Sequence, residues 1–176
     1  MDQSILKKEF AKFWTKAVVF GERAPRNISV LSNQEVIDWA FATLMRCSEK
    51  ILASWGILPD ENLINRISKE KDVKFRSELE KIYIYNFQQK VKDYVFRQKA
   101  KTKYSSWNSW PATMLKNSRF NCAGASLLGI WMLKKAGIKV HAGLPIGHVV
   151  NPVQLSDGNW LYPRPEQLSV SASLPE

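Results

Sequence analysis

Two stretches of the sequence decide the fold: NCAGASLLGIWMLKKAGIKVHAG at residues 121–143 and GHVVNPVQLSDGNWLYPRP at residues 147–165. The first stretch predicts a helix over Asn121–Ala136, because it is mostly apolar, has two lysines in its last turn and is followed by Gly137, which suits a left-handed cap. Three predicted strands follow, over Lys139–Ile146, His148–Leu155 and Asn159–Tyr162. The Asp157–Gly158 pair indicates a hairpin turn between the last two strands. One helix followed by an antiparallel sheet predicts an α+β fold.

The preceding part of the chain, residues 1–103, predicts helices. Apolar residues at helical spacing between Leu6 and Val18 indicate a first helix. Ser32 and Glu35 form the pattern of a capping box, which predicts the start of a second helix that ends near Gly56. Its expected core face consists of Val36, Ala40, Leu44, Ile51 and Trp55.

After Pro59 the sequence predicts a short helical turn and then a long helix over about residues 72–99. The length of that third helix favours a break. We expect the helical part (residues 1–103) and the helix-and-sheet part (residues 104–176) to form one compact domain.

Composition excludes several classes of protein. The chain has 176 residues, of which 45% are hydrophobic and 24% charged, which is typical of a globular protein and not of a disordered chain. The uncharged stretch Phe120–Leu133 is shorter than the roughly 20 residues that span a bilayer. The N-terminal sequence MDQSILKKEF lacks an apolar signal core. We therefore expect a cytoplasmic protein with no membrane span.

Cysteine and histidine are scarce, with two of each. Cys47, Cys122, His141 and His148 lack the spacing of metal ligands, so we expect no metal site, no disulfide framework and no cofactor. We expect Cys47 to be either a packing residue or a surface thiol, and His141 to be an ordinary strand residue.

One cysteine and one histidine nevertheless stand where a thiol enzyme needs them. Cys122 falls in the first turn of the predicted helix, where unpaired backbone N–H groups and the helix dipole favour a thiolate. His148 opens the second predicted strand. A helix leading into antiparallel strands can bring a nucleophile and its general base together. A buried structural cysteine and a structural strand histidine are the alternative interpretation.

The order of elements from Ser118 to Glu166 resembles the core of the transglutaminase-like superfamily of papain-like cysteine enzymes. The shared features are a cysteine followed by small residues, a Leu-Leu helix, an Ala-Gly-Ile turn, a Gly-His strand start, an Asp-Gly hairpin and a later tryptophan. The resemblance implies a papain-like core with its nucleophile at the start of a central helix packed on a small antiparallel sheet. It also implies acyl transfer or amide hydrolysis on a protein or peptide, with Cys122 as nucleophile and His148 as base.

The third catalytic position departs from the family pattern. Arg164 stands where the family has an aspartate, and an arginine cannot accept the imidazole N–H. Glu166, on the same strand face, could substitute, with Asn151 or a backbone carbonyl as other candidates. Trp107 and Trp110 could line a substrate groove or assist an oxyanion hole, or could simply cover the core. A catalytically inactive binding module is therefore the second interpretation.

The net charge of +10 suggests a third interpretation. Residues 66–103 hold twelve basic and five acidic residues, which accounts for seven of these charges. Basic residues are dense between 90 and 103, and Tyr104, Trp107 and Trp110 follow. Because basic groups neutralise phosphates and aromatic rings stack on bases, this composition is also compatible with nucleic acid. An acidic protein partner would fit the charge equally well.

Overall fold

Helices precede strands in this chain, as the sequence predicts. A computed structural model describes residues 8, 30–97, 122–141, 151–164 and 169–171. The elements are α1 (Asn33–Ser54), α2 (Glu61–Lys69), α3 (Val73–Arg97), α4 (Cys122–Lys135), β1 (Lys139–Val140), β2 (Val153–Gln154), β3 (Trp160–Arg164) and β4 (Ser169–Ser171). The fold is α+β. Apart from Lys8, the helix predicted between Leu6 and Val18 lies outside the described residues.

The start of α1 confirms the predicted capping box. The backbone N–H of Ser32 donates to Glu35 Oε2 at 2.7 Å, and the backbone N–H of Glu35 donates to Ser32 Oγ at 3.3 Å. The bonds to Ser32 lower the pKa of the Glu35 carboxyl. The helix ends at Ser54, and Gly56 then adopts a φ of 72°, a left-handed conformation that glycine tolerates best.

The buried face of α1 is rotated from the predicted one. Val36 and Ile51 are buried as predicted, and so is Trp55 just beyond the helix, but Ala40 and Leu44 are only half-buried. The other fully buried positions include three small residues, Thr43, Cys47 and Ser48. Hydrophobicity alone gives these residues little weight, although small side chains suit a surface where two helices approach closely.

The next two helices begin at aspartate caps. Asp60 accepts a hydrogen bond from the Leu63 N–H at 3.0 Å, and Asp72 accepts one from the Phe75 N–H at 2.8 Å. The long helix predicted over residues 72–99 is confirmed as α3, but the break predicted within it is wrong. Buried apolar residues recur at helical spacing from Leu79 onward, so one continuous face of α3 packs on the core.

The strands pair in chain order, and every pairing is antiparallel. Val153 of β2 lies opposite Val140 on one side and Leu161 on the other. The predicted hairpin turn is confirmed, with Gly158 at a φ of 87°. Residues 142–150, which include parts of two predicted strands, lie outside the described residues. The sequence prediction did not include β4, which pairs with β3, although its Ser-Val-Ser segment alternates polar and apolar residues as a half-buried strand does.

The helical part and the sheet part share one hydrophobic core. Its cluster of buried side chains includes Ile51 of α1, Ile84 of α3, Leu128 of α4 and Val153 of β2. The Tyr83 hydroxyl donates a buried hydrogen bond of 3.1 Å to the backbone carbonyl of Met132, which joins α3 to α4. Among the described helices, none has the length and apolar character needed to cross a membrane.

Candidate functional site

Cys122 is the first residue of α4, and its side chain is half-buried. The predicted position of Cys122 at a helix start is therefore confirmed. The first turn of a helix leaves backbone N–H groups without helical partners, and these groups favour an anion or a developing negative charge. A thiol in this position has both partial solvent access and an electropositive backbone.

Helix α4 packs against α1 and β1. Residues Gly124, Ala125 and Ser126 of α4 are buried, as are the small residues Thr43, Cys47 and Ser48 of α1. Small side chains at a helix contact permit a short distance between the two helix axes. The first two turns of α4 are thus buried on one side.

Asn151 connects the sheet to the first half of α4. Its side-chain amide donates a 2.9 Å hydrogen bond to the backbone carbonyl of Ser126, one helical turn from Cys122. Gly129 makes room for this contact, since a Cβ at that position would lie 2.7 Å from Asn151 Nδ2. Asn151 is 1% exposed, and its side-chain oxygen Oδ1 is buried without a hydrogen-bond partner among the described residues.

The other predicted site residues cannot be compared with this geometry. His148, Glu166, Trp107 and Trp110 all lie outside the described residues. Arg164, at the position of the family's aspartate, pairs through β3 with Ser169 of β4. Cys122 and the alternative third residue Asn151 are therefore the predicted catalytic residues within the described part of the chain.

Comparison with protein-family models, with curated proteins and with solved structures found no match.

The remaining cysteine and histidine have structural surroundings. Cys47 is fully buried in the core cluster, which confirms the packing interpretation over that of a surface thiol. His141 is exposed beside β1, where its backbone N–H donates to the carbonyl of Pro152 at 2.8 Å and its ring lies 5.3 Å from that of Trp160. Within the described ranges, no group of three or more His, Cys, Asp or Glu side chains is placed to hold a metal ion.

A buried carboxylate, which the sequence analysis missed, ties α3 to the β2–β3 turn. Glu80 is 2% exposed and accepts hydrogen bonds from the Ser156 backbone N–H at 2.8 Å and the Ser156 hydroxyl at 2.5 Å. Arg76 Nε lies 3.3 Å from the same carboxylate, and Ser77 Oγ accepts from the Asp157 N–H at 2.8 Å. The polar pattern of α3 gives no signal of this contact, because it depends on where the hairpin packs.

The basic segment proposed for nucleic acid is described only at its beginning. Lys90 Nζ donates to the backbone carbonyl of Leu58 at 3.0 Å, so that this lysine holds the chain between α1 and α2. Lys92 is half-buried on α3. The lysines at 99, 101 and 103 lie outside the described residues.

Proposed function

We propose that the chain is a transglutaminase-like cysteine enzyme that performs acyl transfer or amide hydrolysis on a protein or peptide. The observation that carries the proposal is Cys122 at the start of α4, half-buried, on a helix packed against an antiparallel sheet. This arrangement of nucleophile, helix and sheet is what the papain-like core requires.

Chain connectivity supports His148 as the partner of Cys122. Asn151 is held on Ser126, which lies about 6 Å from Cys122 along the helix axis. His148 precedes Asn151 by three residues, which extend by at most about 10 Å. The three-residue separation of Asn151 and His148 is therefore long enough for the imidazole to reach the start of α4.

The reaction follows from the two groups. His148 takes the thiol proton while the Cys122 sulfur attacks the acyl carbon, so that an S–C bond forms. The C–N bond of the substrate then breaks, and the imidazolium gives its proton to the leaving amine. Water or a second amine next attacks the thioester, the S–C bond breaks, and the thiol is regenerated. Backbone N–H groups at the start of α4 stabilise the oxyanion of each tetrahedral intermediate.

Two residues are candidates to orient the imidazole. Glu166 fits the family order best, because it follows Arg164 on the same strand face. The side-chain oxygen of Asn151 is buried and has no hydrogen-bond partner in the described part of the chain, and an amide oxygen can accept the imidazole N–H. In this role either residue would be a positioning residue. Trp107 and Trp110 remain the proposed lining of the substrate groove.

A catalytically inactive binding module is the second candidate function. The observation that favours it is Arg164, which continues β3 in register with β4 at the position where the family has its aspartate. Without an acceptor for the imidazole N–H, the histidine is not held in the productive orientation.

Alkylation kinetics at Cys122 test the proposal. We expect iodoacetamide at pH 6 to modify Cys122 at least about tenfold faster than N-acetylcysteine, because an ordinary thiol is almost fully protonated there. Peptide mapping separates Cys122 from Cys47, whose burial makes it a poor reference. The His148→Ala variant should lose the enhancement and the matched His141→Ala variant should keep it.

A rate equal to that of N-acetylcysteine, unchanged by His148→Ala, would overturn the proposed catalytic pair. If alkylation is fast but neither casein hydrolysis nor incorporation of a fluorescent amine into casein is detected, the reactive thiol belongs to an enzyme of narrower substrate range. The Cys122→Ser variant is the blank for both assays.

A further inference from the structure

The groove between α2 and α3 has the character of a peptide-binding surface, and it is separate from the cysteine site. It has a volume of about 300 Å³ and is lined by Asn65, Arg66, Lys69, Glu70, Phe75 and Leu79. That volume accommodates a few side chains, which suits a short extended segment. We refer to these six residues as the α2–α3 groove.

The apolar part of the α2–α3 groove consists of Leu79 and Phe75. Leu79 is buried at its floor, whereas Phe75 is 51% exposed and Val73 beside it is also 51% exposed. The inward face of α3 is already occupied by core residues such as Tyr83 and Phe87. Phe75 therefore does not contribute its exposed half to the core, and that half is available to a partner.

The charges around the α2–α3 groove are not balanced. Arg66, Lys69, Lys71 and Lys74 are exposed, and within the described part of the chain none of these four side chains forms an ion pair. The neighbouring carboxylates are occupied by backbone groups at the start of α3. Glu70 accepts the Asp72 N–H at 2.8 Å, and Asp72 accepts the Phe75 N–H at 2.8 Å.

The carboxylates of Glu70 and Asp72 thus face the positive end of the α3 dipole. These two carboxylates offset only part of the charge of the four cations, so an excess of positive charge remains around the apolar floor. An anionic partner with an apolar side chain would neutralise the positive charge and cover the apolar floor. The Glu70 and Asp72 carboxylates disfavour a continuous phosphate backbone, whereas a peptide can place its acidic residues on the cations and offer N–H donors to these carboxylates. A second copy of the chain would bring like charges together.

We propose that the α2–α3 groove binds an acidic peptide segment that carries an aromatic or aliphatic anchor. The anchor packs on Phe75 and Leu79, and the acidic residues pair with Arg66 and Lys69. This surface lies outside the basic 90–103 segment, whose composition is compatible with nucleic acid or an acidic protein partner. The proposal does not depend on the chemistry of Cys122.

Selection from a library of random twelve-residue peptides, displayed on phage and panned on the full chain, tests the proposal. We expect the enriched peptides to combine several Asp or Glu residues with one or two large apolar residues. Fluorescence anisotropy with the most enriched peptide then measures affinity. Binding should weaken as salt is raised from 50 to 500 mM, because exposed charge pairs are screened.

Surface variants assign the binding site. The double variant Arg66→Glu/Lys69→Glu should bind the selected peptide at least about tenfold more weakly, since two exposed charge pairs are reversed. Phe75→Ser should weaken binding about fivefold or more through loss of the apolar contact. Lys101→Glu/Lys103→Glu has the same net charge as the groove double variant and should bind within about twofold of the wild type. Cys122→Ser should bind as the wild type does.

Three results would overturn the proposal. One is enrichment of peptides with no excess of acidic residues. Another is equal binding by the wild type and the Arg66→Glu/Lys69→Glu variant. The third is tight binding of a twenty-residue oligothymidylate that the groove variants abolish, which would assign the groove to nucleic acid.

Discussion

The side-chain amide of Asn151 donates a 2.9 Å hydrogen bond to the backbone carbonyl of Ser126. This bond joins the residue before Pro152 and β2 to the second turn of α4, and it is buried from solvent. A buried amide that lost this partner would pay about 1–3 kcal/mol. Gly129 is part of the same contact, because a larger residue there would displace Asn151. The placement of β2 relative to Cys122 therefore depends on Asn151 and Gly129.

The Gly129→Ala variant should be less stable than the wild type by about 1–2 kcal/mol, although alanine is the better helix former. The added Cβ would lie 2.7 Å from Asn151 Nδ2 and force that side chain away from Ser126. Asn151→Ala alone should cost a similar amount. The double variant should cost less than the sum of the two, because Asn151→Ala removes the side chain that the new Cβ at position 129 would otherwise displace. Urea unfolding of all four proteins measures this coupling, and strictly additive costs would contradict the contact.

Glu80 and Glu78 provide a matched pair on α3. Glu80→Ala should lower the free energy of unfolding by about 2–3 kcal/mol, because it leaves the Ser156 donors without their charged acceptor. Glu78→Ala should change it by less than about 0.5 kcal/mol, because the ion pair of Glu78 with Lys81 is exposed. Chemical denaturation measures both values, and equal costs would show that the Glu80 carboxylate does not hold the hairpin.

Local signals in the sequence predicted the ends of helices and turns. The Ser32–Glu35 box, Gly137 and the Asp157–Gly158 pair each act within a few residues, so that their geometry is encoded where it occurs. The α+β class and the position of Cys122 at a helix start followed from such signals. These predictions required no knowledge of which distant segments pack against each other.

Contacts between distant segments were not predictable in the same way. The burial of Glu80 requires a hairpin turn some 76 residues later in the chain. The buried face of α1 includes Cys47 and Ser48, whose weak hydrophobicity gives no signal. Gln88 is a further example, since it is 1% exposed and neither polar atom of its side chain has a hydrogen-bond partner within the described ranges. Tertiary packing decides each of these cases.

Asp157 should make stability sensitive to acid. Partial desolvation acts to raise its pKa, but hydrogen bonds from the Asn159 N–H at 3.0 Å and side-chain amide at 2.9 Å, with Ser77 and Lys81, lower the pKa overall. A carboxyl whose pKa is lowered in the folded state stabilises the fold at pH values above its unfolded-state pKa. This contribution is lost as pH falls through its folded-state pKa. The loss therefore begins near the ordinary aspartate value of about 4.

The Asp157→Asn variant should show a shallower loss of stability below about pH 4 than the wild type. Asparagine keeps the acceptor oxygen of the turn and removes the charge. Thermal unfolding between pH 5 and pH 2 measures the difference. Asp38→Asn, an exposed change on α1, is the control, and an unchanged acid slope in Asp157→Asn would contradict the assignment.

Tyr83 should make stability sensitive to alkali. Burial raises the pKa of its hydroxyl, with further contributions from Glu61 and Asp60, and the hydroxyl donates to the Met132 carbonyl. The folded protein thus keeps a proton that the unfolded chain releases near the ordinary tyrosine value of about 10. A group with a raised folded-state pKa contributes its full stability below the unfolded pKa, and this contribution is lost as pH rises from the unfolded pKa through the folded pKa.

Tyr83→Phe should therefore lower the free energy of unfolding by about 1 kcal/mol at neutral pH, through loss of one buried hydrogen bond. It should also flatten the fall of stability between about pH 10 and pH 12, where only the unfolded wild type ionises this ring. Tyr85→Phe removes a hydroxyl from the same helix at a ring that is 52% exposed, and it is the matched control. Urea unfolding across this range, followed with tyrosinate absorbance at 295 nm, separates the two variants. If Tyr83 ionises before the protein unfolds, the phenol is not held between α3 and α4 in the way its contact with Met132 requires.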